Sequence, residues 1–137
     1  MKVLLISANT LKTPYPVYPL GLDHVAYAIA SDHDVRTADI NALGDIEPLI
    51  HIIDSFAPDV VGMSLRNIDN TDQTDQQSFV LGYQRLVGLI RKATQATLVL
   101  GGSGFTLFPG EMMDMLGADY GIVGEGERLA DLLRSME

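Results

Sequence analysis

A chain of 137 residues has the size of one domain, and 47% hydrophobic with 20% charged residues is the make-up of a folded globular protein rather than a disordered one. The formal net charge of −9 argues against a nucleic-acid partner, because phosphate binding needs an excess of lysine and arginine. The absence of cysteine excludes a disulfide framework, a thiolate metal site and an iron–sulfur cluster held by these residues. No apolar run nears the roughly 20 residues of a membrane span, so a soluble, cytoplasmic chain with no membrane partner is expected.

In chain order, Val3 to Ser7 is apolar without alternation, the pattern of a parallel strand covered on both faces. Asn9 to Pro19 carries Pro14, Pro16 and Pro19 and is expected to be an extended loop, since each proline biases the residue before it away from helix. Gly21 to Ala30 predicts a helix with Leu22, Val25, Ala26 and Ile29 on one face. Val35 to Ile40 is more polar and is expected at a sheet edge. From about Asp45 the residues Ile46, Leu49, Ile50 and Ile53 recur at helical spacing, and this helix ends before Pro58.

Asp59 to Ser64 reads as the next buried strand. The polar stretch Arg66 to Thr74 follows, with four aspartates or asparagines between Asn67 and Asp72. Phe79, Val80, Tyr83, Val87 and Ile90 mark a helix, and Thr97 to Leu100 a fourth strand capped by Gly101-Gly102-Ser103-Gly104. Pro109 suits the first turn of a short helix through Leu116. Tyr120 to Val123 is a fifth strand, and Leu129, Leu132, Leu133 and Met136 line a last helix.

Five strands and five helices in alternation predict a single domain over residues 1–137. The expected fold is α/β and flavodoxin-like (Rossmann-like): a doubly wound parallel sheet of order 2-1-3-4-5 with helices on both faces. In such sheets ligands bind outside the carboxyl ends of the strands. Those ends are Ser7 to Pro19, Ser64 to Asp72, Gly101 to Thr106 and Gly124 to Glu127. Gly101, Gly102 and Gly104 remove side chains where a ligand could approach the backbone, although a tight strand-to-helix turn would need the same residues. Ser103 and Thr106 add hydroxyls around that space.

No Gly-Lys-Ser/Thr follows the glycines, so this is not a phosphate-binding P-loop, and its place after the fourth strand excludes the dinucleotide fingerprint. Glu125 and Glu127 also suit a helix N-terminus as structural residues. His24, His33 and His51 have no metal-ligand spacing and are read as structural or surface residues. No nucleophile–base pair is visible, so catalysis by this chain alone is not expected. A flavodoxin would carry a Thr/Ser-rich loop after the first strand, where Thr10 and Thr13 are sparse. A receiver domain would need acidic residues where Ser7-Ala8-Asn9 and Met63-Ser64-Leu65 stand.

The strand-end segments resemble the amino-terminal cobalamin-binding domain of cobalamin-dependent radical S-adenosylmethionine enzymes. The matching pieces, in the family's order, are Tyr18-Pro19-Leu20-Gly21-Leu22, Pro58-Asp59-Val60-Val61-Gly62-Met63-Ser64, Arg66-Asn67-Ile68-Asp69, Gly101-Gly102-Ser103-Gly104-Phe105-Thr106 and Gly124-Glu125-Gly126-Glu127. The resemblance implies a corrin ring across the carboxyl edge of the sheet, with the cofactor's nucleotide tail inserted beside the Gly101-Gly102 turn. Glycines there would admit the dimethylbenzimidazole, and Ser64 would be a hydrogen-bonding wall. It assigns cofactor contacts to Ser64, Leu65, Arg66, Asn67, Gly101, Gly102, Ser103, Gly104, Phe105, Thr106, Val123, Gly124 and Glu125.

One departure from the wider cobalamin-binding pattern matters. Asp-x-His-x-x-Gly, whose histidine coordinates cobalt, is replaced here by Ala8-Asn9-Thr10-Leu11-Lys12-Thr13. The expectation is cobalamin held base-off without a protein histidine, its lower face meeting the loop from Ser64 to Asp69 or the proline-rich loop. That suits methyl transfer or electron chemistry better than mutase chemistry, and the resemblance implies a methyltransferase or a cyclase as the parent enzyme. The family's Cys-x-x-x-Cys-x-x-Cys is absent, so the cluster and S-adenosylmethionine would belong to a radical domain following residue 137. The chain is then an excised domain or a stand-alone module. Two other readings stay open: a degenerate flavodoxin-like interaction domain that binds no cofactor, and a binder of another nucleotide-tailed ligand.

Overall fold

The computed structural model describes residues 1–9, 19–66 and 73–137. Most of the expected proline-rich loop and of the polar Arg66-to-Thr74 stretch lies outside the described residues. Five strands form one all-parallel sheet: β1 (Lys2–Ser7), β2 (Asp34–Asp39), β3 (Val60–Ser64), β4 (Thr97–Gly101) and β5 (Tyr120–Gly121), in the order β2-β1-β3-β4-β5. This is the expected doubly wound α/β sheet, with the polar strand β2 at one edge.

The helices among the described residues are α1 (Leu20–Ile29), α2 (Ile40–Leu43), α3 (Glu47–Phe56), α4 (Gln73–Ala93), α5 (Ser103–Leu107), α6 (Pro109–Leu116) and α7 (Leu129–Met136). Two connections expected to hold one helix each hold two. After β2, Gly44 takes a left-handed conformation (φ 76°) and ends α2 before α3 can begin. After β4, the glycine turn winds directly into α5. Pro109 then starts α6 afresh, because proline fits the first turn of a helix but not its interior.

Strand alternation divides the core into two. On one face Leu4, Ile6, Val61, Met63, Leu98 and Leu100 pack with Leu49 and Ile53 of α3, Tyr83 and Ile90 of α4, and Met112 and Leu116 of α6. On the other face Val3, Leu5, Val60 and Val99 pack against Leu22 and Ile29 of α1 and Leu129 and Leu133 of α7. Each fully buried aliphatic side chain contributes about 1.5–3 kcal/mol relative to exposure. The two helix layers thus fix the sheet, and with it the positions of its strand ends. None of the described helices is long and apolar enough to cross a membrane.

Candidate functional site at the carboxyl edge of the sheet

Parallel pairing places Ser7, Ser64 and Gly101 side by side across β1, β3 and β4. By the same alternation their side chains face α1 and α7, whereas Ile6, Met63 and Leu100 face the other core. Three neighbouring strands therefore end in small residues on one face, where a full layer of aliphatic side chains would otherwise meet the helices. One pleat deeper, Leu5, Gly62 and Val99 form the next row. The result is a cleft of about 480 Å³, walled by Leu22 and Val25 of α1 and by Gly126 and Leu129. Its size falls within the roughly 300–1,000 Å³ of small-molecule sites. Ser7 and Asn9, the two buried polar residues among those described, both line it.

The edge of the cleft is stitched by the backbone. Ala8 N–H donates to the Ser64 carbonyl (3.1 Å), Leu65 N–H to that of Gly101 (2.9 Å), and Gly104 N–H to that of Leu65 (2.8 Å). These bonds draw the β4–α5 turn tightly onto the end of β3. At Gly102 (φ 99°) a Cβ would lie 2.6 Å from the Leu65 carbonyl oxygen and 2.8 Å from Ser64 Oγ. At Gly104 it would lie 2.9 Å from the carbonyl oxygens of both Leu65 and Arg66. These two glycines are demanded by the approach of one backbone to another. Gly101 differs, because a Cβ there would meet only the Ile122 carbonyl oxygen, at 3.9 Å, on the cleft side.

Thr106 ties the turn to the next strand end. Its hydroxyl donates to the Gly102 carbonyl (3.0 Å) and accepts from Gly124 N–H (3.0 Å). Arg128 Nη1 donates to the Val123 carbonyl (3.3 Å) on the same arm. A 3-10 turn over Gly126–Arg128 then leads into α7, with Gly126 pressed against the Val25 side chain of α1.

Of the residues singled out from the sequence, Ser64, Arg66, Gly101, Gly102, Ser103 and Gly124 line the cleft. Leu65 and Phe105 are buried in the opposite core, and Gly104 is buried beneath the turn. Thr106 is a strut beside the cleft rather than part of its lining. Val123 and Glu125 are exposed outside it. Asn67 lies outside the described residues. Ser7, Asn9, Gly126 and Glu127, which also line the cleft, fall within the strand-end segments expected from the sequence but are not among the assigned contacts. Leu5 and Gly62 on the sheet and Leu22, Val25 and Leu129 on the walls are not assigned to the site from the sequence either. The signal in the sequence is a small residue at the end of each of three apolar runs, Ser7, Ser64 and Gly101; pairing then sets them in one row.

None of the three histidines lines the cleft. His24 and His51 are exposed on α1 and α3. The His33 side chain is 5% exposed at the far end of the molecule, with its Nδ1 3.3 Å from the amino terminus and its Nε2 3.9 Å from Glu137. Among the described residues no group of three or more histidines or acids could hold a metal ion. Asp119 accepts from Leu98 N–H (2.8 Å), which holds its carboxyl below the ordinary 3.8 against an opposing effect of burial, with Arg91 adding to the lowering. It clamps the start of β5 and does not line the cleft.

The B12 binding domain family matches residues 6–134 of the chain. Over 138 residues the chain is 32% identical to tryptophan 2-C-methyltransferase of Streptomyces laurentii, an alignment covering 98% of this chain and 23% of that protein. The structure of the radical S-adenosylmethionine methyltransferase TsrM from Kitasatospora setae, with cobalamin and a 4Fe–4S cluster bound, superposes with a TM-score of 0.87 at 29% identity. That match covers 98% of this chain and 24% of TsrM. A cobalamin-binding protein from Desulfitobacterium hafniense DCB-2 shares the fold, with a TM-score of 0.65 at 12% identity over 97% of this chain and 58% of its own. The chain thus spans about a quarter of the length of the two methyltransferases.

Proposed function

The chain belongs to the B12-binding domain family, and from that membership we propose that it is the cobalamin-carrying domain of a radical S-adenosylmethionine enzyme. In this reading the nucleotide tail of the cofactor enters the cleft between the sheet and α1, and the corrin lies across the strand ends. The observation that carries it is the in-register row Ser7–Ser64–Gly101. Three strands forgo bulky side chains at the same level on the same face, and a Cβ on Gly101 would project into the cleft. The donor set fits as well. Hydroxyls, an amide and the exposed Arg66 guanidinium line the outer part, suited to a ribose and phosphate, while aliphatic side chains line the inner part.

Bound cobalamin would supply a cobalt centre able to carry methyl groups or electrons. The chain's own residues do the holding. Leu22, Val25 and Leu129 exclude water from the tail, and Ser64 and Ser7 offer hydroxyls at its rim. The Gly102–Leu65 contact keeps that rim rigid. Base-off binding without a protein histidine belongs to the same proposal. It is supported by the absence of histidine from the cleft lining and from Ala8 to Thr13. The lower face of the corrin would then meet the segment beginning at Ser64 and Arg66 or the segment after Asn9. Methyl transfer or cyclisation, the iron–sulfur cluster and S-adenosylmethionine would belong to a following radical domain. A cytoplasmic location without a nucleic-acid partner, in keeping with the net charge of −9, completes the reading.

Mixing the purified chain with hydroxocobalamin and desalting tests the proposal. Corrin absorbance eluting with the protein is expected, and its absence contradicts the assignment. For the axial ligand, the paramagnetic resonance spectrum of the reduced, loaded protein is expected to show no nitrogen splitting. A splitting that disappears on loss of a histidine contradicts the histidine-free reading.

A further inference from the structure

The cleft changes character along its depth. At the strand ends it offers Ser7, Asn9 and Ser64, but one pleat deeper the in-register row is Leu5–Gly62–Val99. Leu5, Val99, Leu22 and Leu129 are all buried, and Val25 closes the side. A Cβ on Gly62 would lie 2.7 Å from Leu5 Cδ2. The missing side chain is therefore what lets Leu5 lie across the floor and seal it with methyl groups. The strand backbone below is already paired within the sheet. The carboxylate of Glu127, another lining residue, is on an exposed turn. Among the described residues the inner end thus presents no side chain able to hydrogen-bond a heterocycle.

We infer that this apolar floor selects the lower base of the corrinoid, accepting a methylated benzimidazole and rejecting a purine. The inference rests on the proposed seating of the tail in the cleft. The outer edge of dimethylbenzimidazole carries two methyl groups and no hydrogen-bonding atom, so it exchanges water for aliphatic contact at no polar cost. Adenine carries an amino group and ring nitrogens at its edge. In this cleft they lose water without gaining partners, and buried polar groups left unpaired are costly. The expected discrimination is at least about tenfold in Kd, from the size of that penalty.

The test measures equilibrium binding of three corrinoids to the 137-residue chain by absorbance titration: cobalamin, its adenine-tailed analogue, and cobinamide, which has no base. Cobalamin should bind at least about tenfold tighter than the adenine-tailed form, and both should bind tighter than cobinamide. Val25→Thr adds a hydroxyl at nearly constant volume and should narrow the gap between the two complete corrinoids. Gly62→Ala, which places a methyl group on the floor 2.7 Å from Leu5 Cδ2 and forces that side chain to shift, should weaken cobalamin while leaving cobinamide unchanged. Equal binding of the two complete corrinoids, with cobinamide weaker, overturns the selection but leaves the tail in the cleft. Tighter binding of the adenine-tailed form overturns the selection too. Equal binding of all three, or no binding of any, overturns the tail placement and the selection with it.

Discussion

Replacing Gly102 by alanine should destabilise the domain strongly, whereas the same change one residue earlier should not. Gly102 has φ 99° and ψ 171°, a region essentially closed to residues with a Cβ. The added methyl would sit 2.6 Å from the Leu65 carbonyl oxygen and 2.9 Å from its amide nitrogen. These groups make the two bonds that hold the turn, Leu65 N–H to Gly101 and Gly104 N–H to Leu65. Backbone strain of about 1–3 kcal/mol, with one of those bonds weakened, gives a loss of about 3 kcal/mol. For a domain of this size that lowers Tm by about 10 °C. At Gly101 the nearest atom to an added Cβ is 3.9 Å away and φ is not positive, so Gly101→Ala should cost less than about 1 kcal/mol. Thermal and urea unfolding of the ligand-free chain measure both. Equal losses for the two variants, or an unchanged Gly102→Ala, would refute the argument that backbone approach sets Gly102.

Thr106→Val removes both hydrogen bonds of the strut between Gly102 and Gly124 at nearly constant volume. It should cost about 1 kcal/mol and speed amide exchange at Gly124; unchanged exchange there contradicts the strut. Asp119 has a folded pKa below its ordinary 3.8. Its charge-dependent stabilisation is therefore complete above the unfolded value and lost as pH falls through the lower folded value. The stability difference between the wild type and Asp119→Asn should be constant from neutral pH to about 5 and shrink below 3.8. Since the carboxylate side chain is 45% exposed, the difference should stay under about 1 kcal/mol. A difference that grows on acidification contradicts the assigned direction.

Much of the fold is legible in the sequence because buried parallel strands are continuous apolar runs and the helices between them carry a 3.6-residue period. The order of strands follows from right-handed crossovers and from the polarity of Asp34–Asp39 at the edge. The split of two connections into helix pairs is less visible, since it depends on Gly44 taking a positive φ and on where Pro109 interrupts a chain already turning. In the site, the strand-end segments and the glycine turn are legible, but the reason for each glycine is not. Gly101 faces the cleft, whereas Gly102 and Gly104 face the backbone of residues 64–66. The three are indistinguishable in the sequence because only neighbours in space separate them.

Phe105 shows the same limit from the other side. It stands within the strand-end motif, yet α5 turns its ring into the far core, against Gly121, where a Cβ would collide with it. Gly62 sits inside an apolar run and reads there as an ordinary strand residue, and Ser7 reads only as the start of a strand-end segment. Their meaning appears only when pairing sets Ser7 beside Ser64 and Gly62 between Leu5 and Val99. Register across strands separated by whole helices is a tertiary property, and no local pattern encodes it.

The most direct test of the cobalamin seat is retention of hydroxocobalamin by the wild-type chain and by Gly101→Phe, compared after desalting. Phenylalanine at 101 directs its ring into the cleft from a backbone that tolerates a Cβ, so folding is expected to persist, as judged by circular dichroism. Corrin absorbance is expected to stay with the wild type and to be lost from the folded variant. Equal retention by both would contradict the placement of the cofactor tail between the sheet and α1.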